Sequence, residues 1–315
     1  MRMLVVGAGA TGGYFGGRLA QAGRDVTFLV RPARRAALAK NGLEIVSPHG
    51  VSTLRPHLIG ASEIREPYDV VLLGVKAFAL EATIADMRAA VGAHTAILPM
   101  LNGMRHLDML DRAFTPQNVM GCLVRIVGSV DEKGRIVQGT PMHDIVYGER
   151  DGKRSDRAAR IDAFLQGAGF DARLSDAILP EMWTKWVMLA SLGAVTCLMR
   201  GAVGQVVSAE GGLKSAMRVL DEVESIVAKV GSATPPQALT QIRAMLSNPA
   251  SPMTSSMYRD LASGQRVEVE QILGDLVRRG EEAGVDAPLV SAATVGLRIY
   301  EAAREASEKP DAPRI

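Results

Sequence analysis

Three glycines spaced as Gly7-x-Gly9-x-x-Gly12 stand directly behind the apolar run Met3–Val6 and ahead of a helix-compatible stretch reaching Ala22. In a strand, turn, helix context each glycine answers a separate demand. Gly7 permits a tight turn, Gly9 lets backbone approach a pyrophosphate, and Gly12 lets helix pack closely on strand. The helix start adds unpaired N–H groups and the positive end of a dipole. Gly7, Gly9, Ala10, Thr11 and Gly12 are therefore the expected phosphate cradle of a dinucleotide; a glycine turn with no ligand is the plainer alternative. The next strand, residues 26–30, ends about 20 residues past the glycines, where an NAD-binding chain places an acid for the ribose 2′-hydroxyl. Here the residues are Arg31-Pro32-Ala33-Arg34-Arg35. Guanidinium groups suit a 2′-phosphate through paired hydrogen bonds. That predicts NADP(H), with Arg31 as a contact, against the competing reading of a solvated basic loop.

Ligands of an open α/β sheet gather beyond the carboxyl ends of its strands. Two loops fall at such ends, Gly74-Val75-Lys76-Ala77-Phe78 and Leu101-Asn102-Gly103-Met104. Lys76 and Asn102 are expected to face the nicotinamide half, although a solvated helix-start lysine and a plain Asn-Gly turn explain them equally well. Lys185 falls between Trp183 and Trp186, at the front of a stretch without charge that runs to Met199. A lysine beside buried surface titrates low enough to act as a general acid; a stem laid over the indoles accounts for it without catalysis. By residue type alone, Ser255 and Ser256 read as helix caps. Glu268 reads as a first-turn acid favoured by the helix dipole.

The elements that must hold these residues change character along the chain. Strand-like and helix-like segments alternate through the first half: strands at 26–30, 42–50, 68–75 and 95–101, paired strands at 119–130 and 135–147 joined at Asp131-Glu132-Lys133-Gly134, and helices at 80–91, 107–114 and 157–168. Alternation of this kind predicts an α/β fold with a mostly parallel, helix-covered sheet. After about residue 175 the strands stop. Residues 178–199, 213–230, 236–246, 255–261, 267–283 and 289–303 carry helical patterning, as in Val269, Ile272, Leu273, Leu276 and Val277. The expected division is a dinucleotide-binding domain over 1–174 and an all-helical domain over 175–315, with a frayed polar tail from Ser307.

Composition narrows the classes. With 315 residues, 47% hydrophobic and 22% charged, the chain reads as an ordinary globular protein. A net charge of +2 and 4% aromatics argue against a nucleic-acid or anionic-membrane partner. Two cysteines outside any Cys-x-x-Cys pair suit a reducing cytoplasm, and five histidines without ligand spacing predict no metal. The glycine-rich start does not read as a signal peptide, and residues 186–199 are too few to span a bilayer and read as a buried helix.

With these residues in view, the chain resembles the ketopantoate reductase family (2-dehydropantoate 2-reductases) over nearly its whole length. At the front the likeness rests on the Gly7, Gly9, Gly12 pattern, Arg31, Val75-Lys76-Ala77 and Asn102-Gly103-Met104. At the back it rests on Trp183-x-Lys185, Ser255-Ser256-Met257-x-x-Asp260-Leu261-x-x-Gly264, Glu268, Gly274 and Ala283-Gly284-Val285-x-x-Pro288. The resemblance implies a Rossmann-type domain followed by a helical domain of the 6-phosphogluconate dehydrogenase-like plan, with the site in the cleft between them. It implies reduction of a 2-keto acid to a 2-hydroxy acid by NADPH, as from ketopantoate to pantoate in pantothenate biosynthesis. Lys185 then corresponds to the general acid and Glu268 to the carboxylate that orients lysine and substrate. Ser256 corresponds to a contact of the substrate carboxylate, and Asn102 and Lys76 line nicotinamide and substrate. The sequence departs from the family at Leu189, Gly193, Val203 and Met253, where the family has asparagines that hydrogen-bond the substrate. Loss of such partners disfavours a polar substrate by orders of magnitude, so a more apolar keto compound is expected. The alternatives are another hydroxy-acid or opine-type dehydrogenase of the same plan, or a non-catalytic NADP(H)-binding sensor. Homodimerisation through the helical domain is a further expectation.

Overall fold

The computed structural model describes residues 1–308, so that most of the expected polar tail lies outside the described residues; Ser307 itself belongs to the last helix. The chain divides into two compact units, Met1–Leu101 with His106–Ile178, and Asn102–Arg105 with Leu179–Ile315.

In the first unit, β1 (Met3–Val6), β2 (Val26–Leu29), β3 (Leu43–Ser47), β4 (Gly50–Leu54), β5 (His57–Ile59), β6 (Val70–Leu73), β7 (Ala96–Pro99), β8 (Gly121–Val130), β9 (Ile136–Gly148) and β10 (Asp171–Leu174) form two sheets. The first has the order β5-β2-β1-β6-β7, with every pairing parallel. From β1 the chain builds outward to β2 and β5, then returns to lay β6 and β7 on the other side. The loops after β1 and β6 therefore meet where the strand order reverses, the usual ligand position of such sheets. All residues of β1, β2, β6 and β7 are buried, the continuous apolar run that a sheet covered on both faces requires.

Beside the expected parallel sheet stands a second, mixed sheet of order β10-β9-β3-β4, in which the expected paired strands are β8 and β9, antiparallel to each other. Both sheets pack on α1 (Ala10–Gln21), whose glycines serve two faces. A Cβ at Gly16 would stand 2.8 Å from Val5 and 2.9 Å from Phe28, against the first sheet. A Cβ at Gly13 would stand 2.4 Å from Ile136, and one at Gly17 2.8 Å from Ile45, against the second. The helix is thin on both sides because a sheet presses on each. The unit is completed by α2 (Pro32–Asn41), α3 (Leu80–Met87), α4 (Arg105–Ala113, whose first residue is assigned to the other unit) and α5 (Asp156–Leu165). The Arg31 to Arg35 segment is not a loop: Arg31 is the N-cap of α2 and Pro32 its first residue, a position that suits the fixed φ of proline.

The second unit is helical: α6 (Ile178–Met199), α7 (Val203–Ser208), α8 (Gly212–Val230), α9 (Pro236–Leu246), α10 (Ser256–Ala262), a π turn (Glu270–Gly274) continuing into α11 (Asp275–Glu282), and α12 (Pro288–Glu308). Val219, Leu220, Val223, Ile226 and Val227 form the buried stripe of α8, and Leu276, Val290, Ala293 and Leu297 are buried with them. Glu222, 3% exposed, accepts from the N–H groups of Leu289 and Val290 and so caps α12. Helix α6 is long and apolar enough to cross a membrane, but 67% of its most apolar window is buried inside the protein. That pattern matches the core helix expected from the sequence.

Candidate active site

In the first unit the glycine loop separates into parts held by the fold and a part that is not. Gly7 sits at φ +93°, and a Cβ there would lie 2.8 Å from Val75 and 3.0 Å from the Gly74 carbonyl. A Cβ on Gly12 would fall 2.1 Å from the Gly7 carbonyl oxygen, and one on Gly74 2.6 Å from the Gly12 Cα. The loops after β1 and β6 thus touch backbone to backbone. Gly9 differs: it is the N-cap of α1, and a Cβ there would meet nothing within 4 Å. No neighbour among the described residues requires a glycine at this position, and the open space lies at the N-terminus of α1. The N–H groups of Ala10, Thr11 and Gly12 belong to that first helical turn, which contains no acidic residue.

The arginine cluster is divided among three tasks. The Arg34 Nε donates to the Ala8 carbonyl at 3.0 Å and its guanidinium to the Gly134 carbonyl at 2.9 Å, fastening the glycine loop to the β8–β9 turn. Burial lowers its pKa from the usual arginine value. Arg35 is ion-paired with Glu63. Arg31 is exposed at the carboxyl end of β2, so the paired grip expected of the cluster reduces to this one side chain. Lys76 is exposed beyond β6, where its carbonyl accepts from the Ala79 N–H.

In the second unit a hydrogen-bonded group forms around Lys185. Its ammonium is half-buried and donates to Asn102 Oδ1 at 2.9 Å. The acceptor is a neutral amide oxygen, which helps to hold the ammonium in place. The next residue, Trp186, is 1% exposed, and its indole N–H donates to the Ile272 carbonyl at 2.9 Å, the kind of partner a buried indole requires. Gln271, 3% exposed, donates through Nε2 to the Asn102 carbonyl at 2.5 Å. Gly103 has φ +72°, and a Cβ on it would lie 2.4 Å from the Gln271 carbonyl oxygen. Sequence reasoning missed Gln271. The available signal was an amide among the apolar positions Val269, Ile272 and Leu273.

The other expected residues of this unit lie on α6, at the start of α7, at and before α10, and ahead of the π turn. Glu268 is half-buried ahead of the π turn, and its carbonyl accepts from the Ile272 N–H at 3.1 Å. Ser255, not Ser256, caps α10, accepting from the Tyr258 N–H and bonding Thr196 of α6 at 2.8 Å. Ser256 is exposed as the first residue of α10. On α6, Leu189 and Gly193 follow Lys185 at successive four-residue steps, which places them on one face. A Cβ at Gly193 would lie 2.9 Å from the Met257 methyl, so this methyl fills the space that a side chain at 193 would take. Val203 is fully buried and donates its N–H to the Met253 carbonyl at 3.0 Å, with Met253 exposed. Among the described residues there is no group of three or more His, Cys, Asp or Glu able to hold a metal ion.

Comparison with known proteins agrees in both halves. Residues 3–152 match the family described as ketopantoate reductase PanE/ApbA, and residues 177–301 match its C-terminal part. A Bacillus subtilis protein described as the uncharacterized oxidoreductase YkpB is 33% identical over 302 residues, 96% of this chain and 99% of its own. A 2-dehydropantoate 2-reductase from Archaeoglobus fulgidus is 30% identical over 285 residues, 90% of this chain and 92% of its own. In fold, a PanE/ApbA family ketopantoate reductase from Ralstonia eutropha JMP134 superposes with a TM-score of 0.86 at 24% identity, over 97% of this chain and 100% of that one.

Proposed function

The chain belongs to the ketopantoate reductase family and is an oxidoreductase acting on CH–OH groups, and from that premise we propose that it reduces a 2-keto acid to a 2-hydroxy acid with NADPH, Lys185 being the general acid. One observation carries this reading: a half-buried ammonium, fixed by a neutral acceptor 2.9 Å away. Charge builds on the carbonyl oxygen during reduction, and a positioned ammonium both stabilises it and supplies the proton. When bound, the cofactor supplies the hydride. The glycine loop fits such a group: Gly9 leaves room against the start of α1, and Gly7, Ala10, Thr11 and Gly12 present backbone to its phosphates. Arg31 is the contact for the 2′-phosphate, and its exposure beyond β2 supports NADPH over NADH. Lys76 and Asn102 line nicotinamide and substrate, Ser256 receives the substrate carboxylate, and Glu268 orients lysine and substrate.

The substrate side is apolar. A chain extending from Lys185 along α6 meets Leu189 and the Met257 methyl over Gly193, where the family resemblance calls for asparagines. Such a surface binds an aliphatic group and leaves a substrate hydroxyl without a partner. We therefore assign a 2-keto acid more apolar than ketopantoate as the preferred substrate. Homodimerisation through the helical unit belongs to the same proposal; Val295 and Ile299 of α12 are exposed one turn apart, and sedimentation of the wild type beside Ile299→Asp checks it.

The deciding assay follows NADPH consumption with ketopantoate and with a panel of aliphatic and aromatic 2-keto acids, NADH serving as control. Faster NADPH-dependent turnover of an apolar member supports the proposal. Efficient turnover of ketopantoate ends the apolar assignment, and tight NADPH binding without any turnover favours a sensor.

A further inference from the structure

Lys185 belongs to a ring of hydrogen bonds that also takes in a buried amide, Gln271. Lys185 donates to the Asn102 side chain, Trp186 donates to the Ile272 carbonyl, and Gln271 closes the ring by donating to the Asn102 carbonyl. All of these residues belong to the second unit, because Asn102–Arg105 joins the helices there and not the strands that precede it. Gln271 meets the Asn102-Gly103 pair at two points. Its amide holds the carbonyl of Asn102, and its own carbonyl abuts Gly103 so closely that only a glycine fits. The residue sits in the π turn Glu270–Gly274. The same π turn carries the Ile272 carbonyl that accepts from Trp186.

Resting on the reading of Lys185 as the general acid, we infer that Gln271 is a positioning residue for the reaction. By pinning the Asn102 backbone it fixes where the Asn102 amide oxygen stands, and with it the Lys185 ammonium. Gln271 donates through Nε2 to main chain and acts through the Asn102–Lys185 hydrogen bond. Misplacing a reacting group by about 1 Å costs on the order of 100-fold in rate, so a buried amide spent on one loop carbonyl has a measurable consequence for turnover.

The test uses Gln271→Met, which keeps length and loses the amide, and Gln271→Glu, in which only the protonated acid donates. NADPH oxidation is followed with ketopantoate and with 2-oxo-4-methylpentanoate. Gln271→Met is expected to lower kcat about 10- to 100-fold while KM changes less than about threefold. In a Lys185→Ala background the same substitution is expected to leave the residual rate unchanged, since residues acting as one unit are not additive. For Gln271→Glu, burial beside a carbonyl oxygen favours the neutral acid, so its kcat relative to wild type rises as pH falls from about 8 to about 5.5. A wild-type kcat in Gln271→Met, an equal fractional loss with and without Lys185, or a flat pH ratio in Gln271→Glu overturns the inference. Absence of turnover in the wild type with both keto acids counts against the substrate reading alone. A crystal structure of Gln271→Met then decides the positioning: an unmoved Lys185–Asn102 hydrogen bond overturns it, and displacement of the Asn102 amide supports it.

Discussion

Arg31, Arg34 and Arg35 are one residue type within five positions, and the fold gives each a different occupation. Arg34 is committed to the carbonyls of Ala8 and Gly134 and Arg35 to Glu63, so the proposed discrimination of the 2′-phosphate falls to Arg31. A hydrogen bond to a charged group contributes about 1.5–3 kcal/mol. Arg31→Ala is therefore expected to weaken NADPH binding at least about tenfold while leaving NADH binding unchanged, as read by fluorescence titration of both. Arg34→Met, which releases the glycine loop, should weaken both cofactors alike. Equal losses for the two cofactors in Arg31→Ala would remove it from the 2′-phosphate. The basic cluster was legible in the sequence; its division was not, because Ala8, Gly134 and Glu63 reach the arginines only through tertiary packing. Gln271 was hidden for the same reason, since its partner is a carbonyl 169 positions away along the chain.

At the level of elements, what the sequence revealed tracks burial. Strands β1, β2, β6 and β7 are continuous apolar runs and could be read directly, whereas β4 is mostly exposed and no residue of the four-residue β10 is fully buried, too little pattern to announce a second sheet. The glycines of α1 held that information in another form, because a helix with glycine on two faces is pressed from two sides. Gly12→Ala would drive a methyl group to 2.1 Å from the Gly7 carbonyl, with backbone on both sides and nothing flexible to yield. Overpacking of this kind costs on the order of 1–3 kcal/mol or more, measurable as a lowered urea midpoint; an unchanged midpoint would refute the backbone contact. The second sheet also reaches α1 through polar groups. Tyr14, fully buried, donates to Gln138 Oε1 at 2.8 Å and lies 2.6 Å from His143 Nδ1, and His143 stacks on His49 at 4.1 Å. Burial holds the His143 pKa below the usual histidine value; His49 and Arg18 push the same way, and Asp171 and Asp144 oppose them. The unfolded chain thus takes up this proton more readily than the folded one. The contribution is complete above about pH 6.5, the unfolded histidine value, and is lost as pH falls from there through the depressed folded value. Melting temperature should fall between about pH 7.5 and pH 5.5, and less steeply in His143→Phe; identical slopes would exclude the imidazole.

Across the whole molecule the proposed tasks sort by unit. The residues assigned to the dinucleotide, Gly7, Gly9, Ala10, Thr11, Gly12, Arg31 and Lys76, lie in the first unit, and Lys185, Asn102, Ser256, Glu268 and Gln271 lie in the second. Asn102 crosses the chain order: it follows β7 in sequence yet belongs to the helical unit, where the residue proposed to line nicotinamide and substrate is also an acceptor for the proposed acid. This distribution makes binding and chemistry separable by single substitutions. Gly9→Ala adds a methyl where the protein offers no contact within 4 Å, so its melting temperature without ligand should match that of wild type. If the space at Gly9 is reserved for a pyrophosphate, the same methyl removes the stabilisation that NADPH confers, about 2.7 kcal/mol at a hundred times Kd. Lys185→Ala should behave in the opposite way, keeping the full NADPH-induced rise in melting temperature while losing about 100-fold or more in turnover. Thermal melts with and without NADPH, beside steady-state rates, read both variants at once. An NADPH-induced rise that survives in Gly9→Ala would place the cofactor elsewhere. Turnover that survives in Lys185→Ala would make the ammonium a structural group, and the proton would then have to come from another donor.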